Sequence, residues 1–198
     1  MSNIKIKSIK ILPELIGVEL PPTFGGASGR AAEDLLEELG FPINRGSGCD
    51  LGDVEIKTRD IDATSAQTVA TSTIQSIIEK EYKDSAIYKK FQKQLRIKTE
   101  ENIIKSAEIY DFSPPFIQDL IEEAYNEGRK RIIQYYKDSN GCVDKIPNWV
   151  TGTKWGNFEH KNSNSWDFRI PNDRMEELEK MATSNFSSIF SYNNNNSN

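Results

Sequence analysis

Residues 53–58 read Asp-Val-Glu-Ile-Lys-Thr, and this alternation constrains the fold more than any other segment. A strand turns successive side chains to opposite faces. Val54, Ile56 and Thr58 therefore share one face, and Asp53, Glu55 and Lys57 share the other. Such a strand needs an apolar layer on its first face and accepts charge on its second. The upstream segment can supply that layer. From Arg30 to about Leu39, the residues Ala32, Leu35, Leu36 and Leu39 fall on one helical stripe, and Gly40 stops the helix.

The rest of the chain continues to mix the two periodicities. Residues 4–12 alternate weakly and read as a short strand or an ordering arm. Thr64–Thr73 contains a strand, and Thr73–Tyr82 reads as a helix with Ile74, Ile77 and Ile78 on its stripe. Phe91–Lys98 alternates Leu95 and Ile97 with Gln94, Arg96 and Lys98, and Ile103–Phe112 suits a further strand. Ser113-Pro114-Pro115 is a helix start, with Ser as N-cap and Pro in the first turn, and the helix extends to about Tyr136. Asn157–His160 and Trp166–Ile170 read as two strands joined by the polar loop Lys161–Ser165. The expectation is an α/β fold with a central mixed sheet of about five strands flanked by helices.

Length and composition narrow the function classes. The chain has 198 residues, enough for one domain, expected over 1–184, with a mobile polar tail over 185–198 that contains Asn193–Asn196. Two cysteines, Cys49 and Cys142, form no CxxC pair, which argues against a zinc site or a disulfide framework. The single His160 excludes chemistry that needs two histidines in one chain. No run reaches the apolar length of a membrane span, and the N-terminus lacks the apolar core of a signal peptide. The expected location is therefore cytoplasmic. The net charge is −5, but it is uneven: residues 30–60 hold four basic and eight acidic groups, and residues 89–161 hold 13 basic and 11 acidic. A passive nucleic-acid coat would be basic throughout.

The acids gather at Gly48-Cys49-Asp50-Leu51-Gly52-Asp53-Val54-Glu55-Ile56-Lys57-Thr58. Asp50 precedes the strand across a turn that Leu51-Gly52 can make, so two carboxylates and an ammonium can surround one point. Hard divalent cations take oxygen ligands, and Mg²⁺ commonly uses one or two carboxylates plus a substrate phosphate. A metal held there can activate water for attack at phosphorus. Asp53 shares the Glu55 face and reads as a further ligand or as a solvated strand end.

Asp50-x4-Glu55-x-Lys57 resembles the D…(D/E)-x-K signature of the restriction-endonuclease-like nucleases. Gly29-Arg30-Ala31-Ala32-Glu33, followed by Asp50 and then Glu55-Ile56-Lys57-Thr58, is similar to the MutH-like group of DNA endonucleases within it. The motif match covers Gly29–Thr58. One departure is Cys49, where the family often has Pro. The resemblance implies a metal-dependent DNA endonuclease acting on double-stranded DNA, with Mg²⁺ as cofactor and Mn²⁺ able to substitute. It also implies Asp50 and Glu55 as metal ligands, Lys57 as the catalytic lysine, and Glu33 as a helix acid near the site. Glu33 also lies beside the apolar stripe of its helix, so a solvated flank is the other reading.

Phosphate contacts must come from elsewhere. Arg59, Arg30, Lys154, Lys161 and Arg169 are the candidates, and such contacts position DNA without reading its sequence. Each of them is also explicable as an ordinary surface charge. Trp155 and Trp166 read as core or hairpin packing, and His160 as a structural or surface histidine. Two other functions fit the same motif: a catalytically inert DNA-binding protein on the nuclease fold, and a nuclease specific for RNA or for a nucleic-acid structure. Intact Asp50, Glu55 and Lys57 speak against the inert form.

Overall fold

A computed structural model describes residues 12–21, 28–46, 48–162 and 164–182. Most of the expected strand or arm at 4–12, and the tail at 185–198, lie outside the described residues. Leu12–Leu15 form a 3₁₀ turn. The molecule is α/β and contains one mixed sheet and one antiparallel sheet with flanking helices. Its residues cluster into two compact units, 1–63 with 93–110, and 64–92 with 111–198.

The first unit is built on strands β1 (Glu55–Asp60), β3 (Lys93–Glu100) and β4 (Ile103–Asp111), in the order β1-β3-β4. β1 runs parallel to β3, with Glu55 beside Gln94 and Lys57 beside Arg96. Glu101 and Asn102, both at positive φ, turn β3 into β4. A two-residue link of this kind joins antiparallel neighbours and matches their twist. Helix α1 (Ser28–Glu38) supplies Ala31, Ala32 and Leu36 to the same buried cluster as Ile56, Leu95, Ile97 and Ile104. The alternation of residues 53–58 is thereby explained: one face of β1 meets an apolar layer.

α1 ends in a Schellman motif. The Phe41 amide donates to the Leu36 carbonyl at 3.0 Å, and the Gly40 amide to the Glu37 carbonyl at 2.9 Å. Gly40 has φ +86°, a conformation that glycine adopts without a Cβ clash. Leu36 and Phe41 are both buried in the core, which completes the motif's hydrophobic contact.

The second unit contains β2 (Gln67–Thr73), β5 (Trp149–Thr153), β6 (Gly156–Asn162) and β7 (Ser165–Ile170), in the antiparallel order β2-β7-β6-β5. Helix α4 (Pro115–Asp138) packs against β5 and β6. The approach is close. A Cβ on Gly128 would stand 2.7 Å from the Phe158 ring, and one on Gly152 would collide with the Ala124 carbonyl oxygen. Tyr125 of α4 meets Phe158 at 5.7 Å between ring centroids, and Phe158 meets Phe168 at 5.1 Å, edge to face. A further helix spans residues 172–182 and buries Met175, Leu178 and Ala182.

Several expectations need adjustment. The strands form sheets of three and four, not one sheet of about five, because β2 pairs with β7 and does not join β1. The helix expected over Thr73–Tyr82 stops earlier, as α2 (Ile74–Glu79) capped by Thr73. A 3₁₀ turn at Tyr82–Asp84 and the short helix α3 (Ala86–Phe91) follow. Ser113 is not the N-cap of α4. That position is Pro114, whose carbonyl accepts from the Ile117 and Gln118 amides at 3.0 and 3.1 Å. Pro115 at the first helical position needs no N–H partner, so the second proline of the pair sets the helix start. Among the described residues no helix is long and apolar enough to cross a membrane.

Candidate active site

The motif residues lie in the first unit, where β1 begins. Asn44 prepares the ground. Its amide N–H donates to the Asp50 carbonyl at 2.7 Å, and its side-chain amide donates to the Cys49 carbonyl at 3.2 Å. This closes the loop that carries Asp50. Leu51 and Val54 then exchange two backbone hydrogen bonds, each 2.9 Å, across the turn Gly52-Asp53. The reversal brings the Asp50 side chain back onto the strand, where its Oδ2 accepts from the Ile56 amide at 2.9 Å. One carboxylate is thus fixed at the peptide that follows Glu55.

Glu55 and Lys57 share a face, as the period of the strand requires. Lys57 Nζ donates to Glu55 Oε1 at 2.9 Å. Glu55 is only 3% exposed, whereas the Lys57 side chain is 25% exposed. A buried carboxylate demands a charge or hydrogen-bond partner, and Lys57 is one. Asp53 points elsewhere: it is exposed and pairs with Lys93 at 2.9 Å. Its reading as a solvated strand end fits this placement better than its reading as a ligand.

Glu33 stands on α1 and is half-buried. Burial, and next the charge of Asp50, raise its carboxyl above the ordinary value, while Arg45 and Arg30 pull it down. Glu33 therefore senses Asp50, and the helix acid and the loop acid belong to one electrostatic neighbourhood. Arg45 lies 3.7 Å from Glu33 and 2.6 Å from both Asp34 and Glu37. Hydrogen bonds to Glu37 and Asp34 raise the pKa of its guanidinium further. Arg45 thus faces three acids of α1.

The structure adds two residues on the neighbouring strand. Gln94 and Arg96 are the register partners of Glu55 and Lys57 in a parallel pair, so they lie on the same face. Both are buried, and Arg96 Nη1 donates to Gln94 Oε1 at 2.9 Å. The alternation of Phe91–Lys98 separates Gln94 and Arg96 from Leu95 and Ile97. That signal puts them on a polar face without saying which strand the face adjoins.

The donor set suits a hard cation. Asp50 and Glu55 offer carboxylate oxygens, and water and a phosphate would complete the coordination. Among the described residues no group of three or more His, Cys, Asp or Glu side chains is placed to hold a metal ion.

The expected phosphate contacts divide into two kinds. Lys154 is exposed, with Nζ 5.1 Å from the Trp155 ring centroid. Lys161 is exposed and lies 3.8 Å from Asp167. Arg169 is paired with Glu159 and donates to the Ala66 carbonyl at 2.8 Å. Arg59 is half-buried and donates to the Ala63 carbonyl. The two lysines are displayed at the surface, while the two arginines hold backbone in place. His160 stacks on Trp166 at 4.8 Å between ring centroids, a packing role. No family model matches this sequence, and no curated protein matches it.

Proposed function

We propose that the protein is a metal-dependent endonuclease of the restriction-endonuclease-like, MutH-like kind, hydrolysing phosphodiester bonds in double-stranded DNA. The observation that carries this reading is the start of β1. Asp50 is tied to the Ile56 amide at 2.9 Å, and Lys57 is tied to the buried Glu55 carboxylate at 2.9 Å. A mere solvated strand face would leave these groups exposed and separate.

Asp50 and Glu55 would hold Mg²⁺, which supplies Lewis-acid polarisation of the phosphate and a bound water acidic enough to attack near neutral pH. Asp50 contributes a carboxylate whose direction is set by its bond to the Ile56 amide. Lys57 gives one N–H to Glu55 and keeps two more to orient the attacking water or to meet charge developing on a phosphate oxygen. Its partial exposure leaves it reachable by substrate. Glu33, with its raised pKa beside Asp50, takes up a proton more readily than an ordinary carboxylate and is suited to accept one from the water. Exposed Lys154 and Lys161 would contribute phosphate contacts.

The test is incubation of the purified protein with supercoiled plasmid in Mg²⁺, in Mn²⁺ and in EDTA, with an RNA substrate in parallel. The expected result is nicked or linear plasmid with either metal and intact plasmid in EDTA. Full cleavage in EDTA overturns the metal-dependent reading. Cleavage of RNA with intact plasmid overturns the DNA assignment.

A further inference from the structure

We propose that Arg96, held by Gln94, is a built-in counter-charge that tunes this site toward an anionic substrate and away from a bare metal ion. The inference rests on the nuclease reading above and extends it to two residues outside the Asp50, Glu55 and Lys57 motif. Arg96 is the register partner of Lys57, lies on the same face of the sheet, and is 4% exposed. Gln94 is the register partner of Glu55, is fully buried, and accepts from Arg96 Nη1 at 2.9 Å.

A guanidinium stays charged at any pH the fold survives, so this positive charge is permanent. It also sits where water is scarce and charges act over longer range. Asp50 and Glu55 bring negative charge to the site, and Lys57 and Arg96 bring positive charge beside it. A divalent cation held there would add to the positive side, ready for a phosphodiester whose negative charge increases as water attacks. Without Arg96 the same carboxylates would hold the cation more firmly and leave less positive charge for the phosphate. Arg96 is too enclosed to serve as a surface phosphate contact. It is a positioning residue that acts through Lys57 and through the field at Glu55.

This assignment has an unusual sign. Replacing a residue that only supports the fold of the site should weaken metal binding and cleavage together. Arg96→Gln should instead strengthen Mn²⁺ binding in the absence of DNA, by about tenfold for loss of a nearby buried like charge. The same variant should slow Mn²⁺-supported cleavage by about tenfold or more. Arg96→Lys, which keeps the charge, should restore most of the wild-type behaviour in both assays. Gln94→Glu is nearly isosteric and places a negative charge against the guanidinium, so it should shift both readouts in the same directions as Arg96→Gln. It serves if Arg96→Gln does not fold, which thermal melting would show.

The experiment is calorimetric Mn²⁺ titration of the full chain and these variants, alongside plasmid cleavage. Tighter Mn²⁺ binding with slower cleavage supports the assignment. Weaker Mn²⁺ binding in both Arg96→Gln and Gln94→Glu overturns it, as do wild-type values in both. A wild-type chain that binds Mn²⁺ but cleaves no nucleic acid refutes the nuclease reading alone, and the direction of the affinity change still decides the role of Arg96. A wild-type chain that binds no Mn²⁺ removes the cation site, and the assignment falls with it.

Discussion

The two units use charged residues in different proportions. In the second unit three arginines reach backbone carbonyls, Arg129 and Arg169 pairing with an acid as well. Arg129 donates to the Ile77 and Ile78 carbonyls at 2.9 Å each, Arg131 to Thr151 at 2.8 Å, and Arg169 to Ala66 at 2.8 Å. These bonds occupy carbonyls left over at the end of α2 and along the strands, and they fasten elements whose core is aromatic. In the first unit, charged side chains of α1, the 44–54 loop, β1 and β3 address one another. Glu33 senses Asp50, Lys57 holds Glu55, and Arg96 holds Gln94. Opposite charges brought together at partial burial cost desolvation, and an apolar set of similar volume is often as stable. Such pairing at partial burial is what the proposed site would require, whereas the arginine-to-carbonyl bonds fasten structure.

This contrast can be broken most directly at the motif. Asp50→Ala, Glu55→Ala and Lys57→Ala should each reduce cleavage by about a thousandfold or more, and Lys57→Ala should also lower the melting temperature, because it takes this partner from the buried Glu55 carboxylate. Calorimetric metal titration separates their roles. The two carboxylate variants should lose metal binding, and Lys57→Ala should retain it. Wild-type rates in Lys57→Ala would make that lysine a surface charge and remove the centre of the proposal.

The second unit should respond in the opposite sense. Gly152→Ala forces a methyl group into the Ala124 carbonyl of α4, with backbone on both sides and no flexible side chain to yield. We expect a loss of about 3 kcal/mol, typical of overpacking at a site that cannot relax. Denaturant unfolding followed by tryptophan fluorescence measures it, because Trp149, Trp155 and Trp166 all lie in this unit. An unchanged midpoint would mean that α4 and β5 separate easily, and the contrast between the units would lose its structural half.

The smallest expected effect sharpens the electrostatic half. The Glu33 carboxyl is raised above its ordinary value of 4.5 in the folded chain. Ionising it is therefore harder in the folded than in the unfolded state. Its contribution to stability is fully present below the unfolded value and is lost as pH rises through the higher folded value. Glu33→Gln removes this dependence. The variant should gain stability relative to wild type as pH rises through that window, and the gain should level off above it. Thermal melts of both proteins across the acidic range to neutrality test this. Parallel curves would place Glu33 among the solvated acids of α1.

Much of the local structure could be read from residue pattern. The α1 stripe, the alternation of β1 and β3, the β6–β7 hairpin and the long α4 all appear where short-range periodicity puts them. The omissions are two short elements and the helix over residues 172–182. α3 has only six residues, although Ser85, which accepts from the Tyr88 amide at 3.1 Å, is a readable N-cap. β5 carries the strand-forming run Trp149-Val150-Thr151 but is bounded by Gly152, which reads locally as a break. Its real meaning is close packing against α4, and that is invisible until the helix is in place.

The site divides along the same line. Sequence by itself determined that Glu55 and Lys57 share a face, that Gln94 and Arg96 share a face, and that an acid precedes β1 across a turn. These are consequences of a two-residue strand period and of local turn chemistry, which act over a few residues. Tertiary structure alone decided that the two polar faces are one face, with Glu55 beside Gln94 and Lys57 beside Arg96. It alone decided that Asp50 folds back onto Ile56 and that Glu33 stands close enough to feel Asp50. Parallel strands have no tight turn to set their register. The choice falls to the shared apolar layer of Ile56, Leu95 and Ile97 against α1, and so to contacts between residues far apart in the chain.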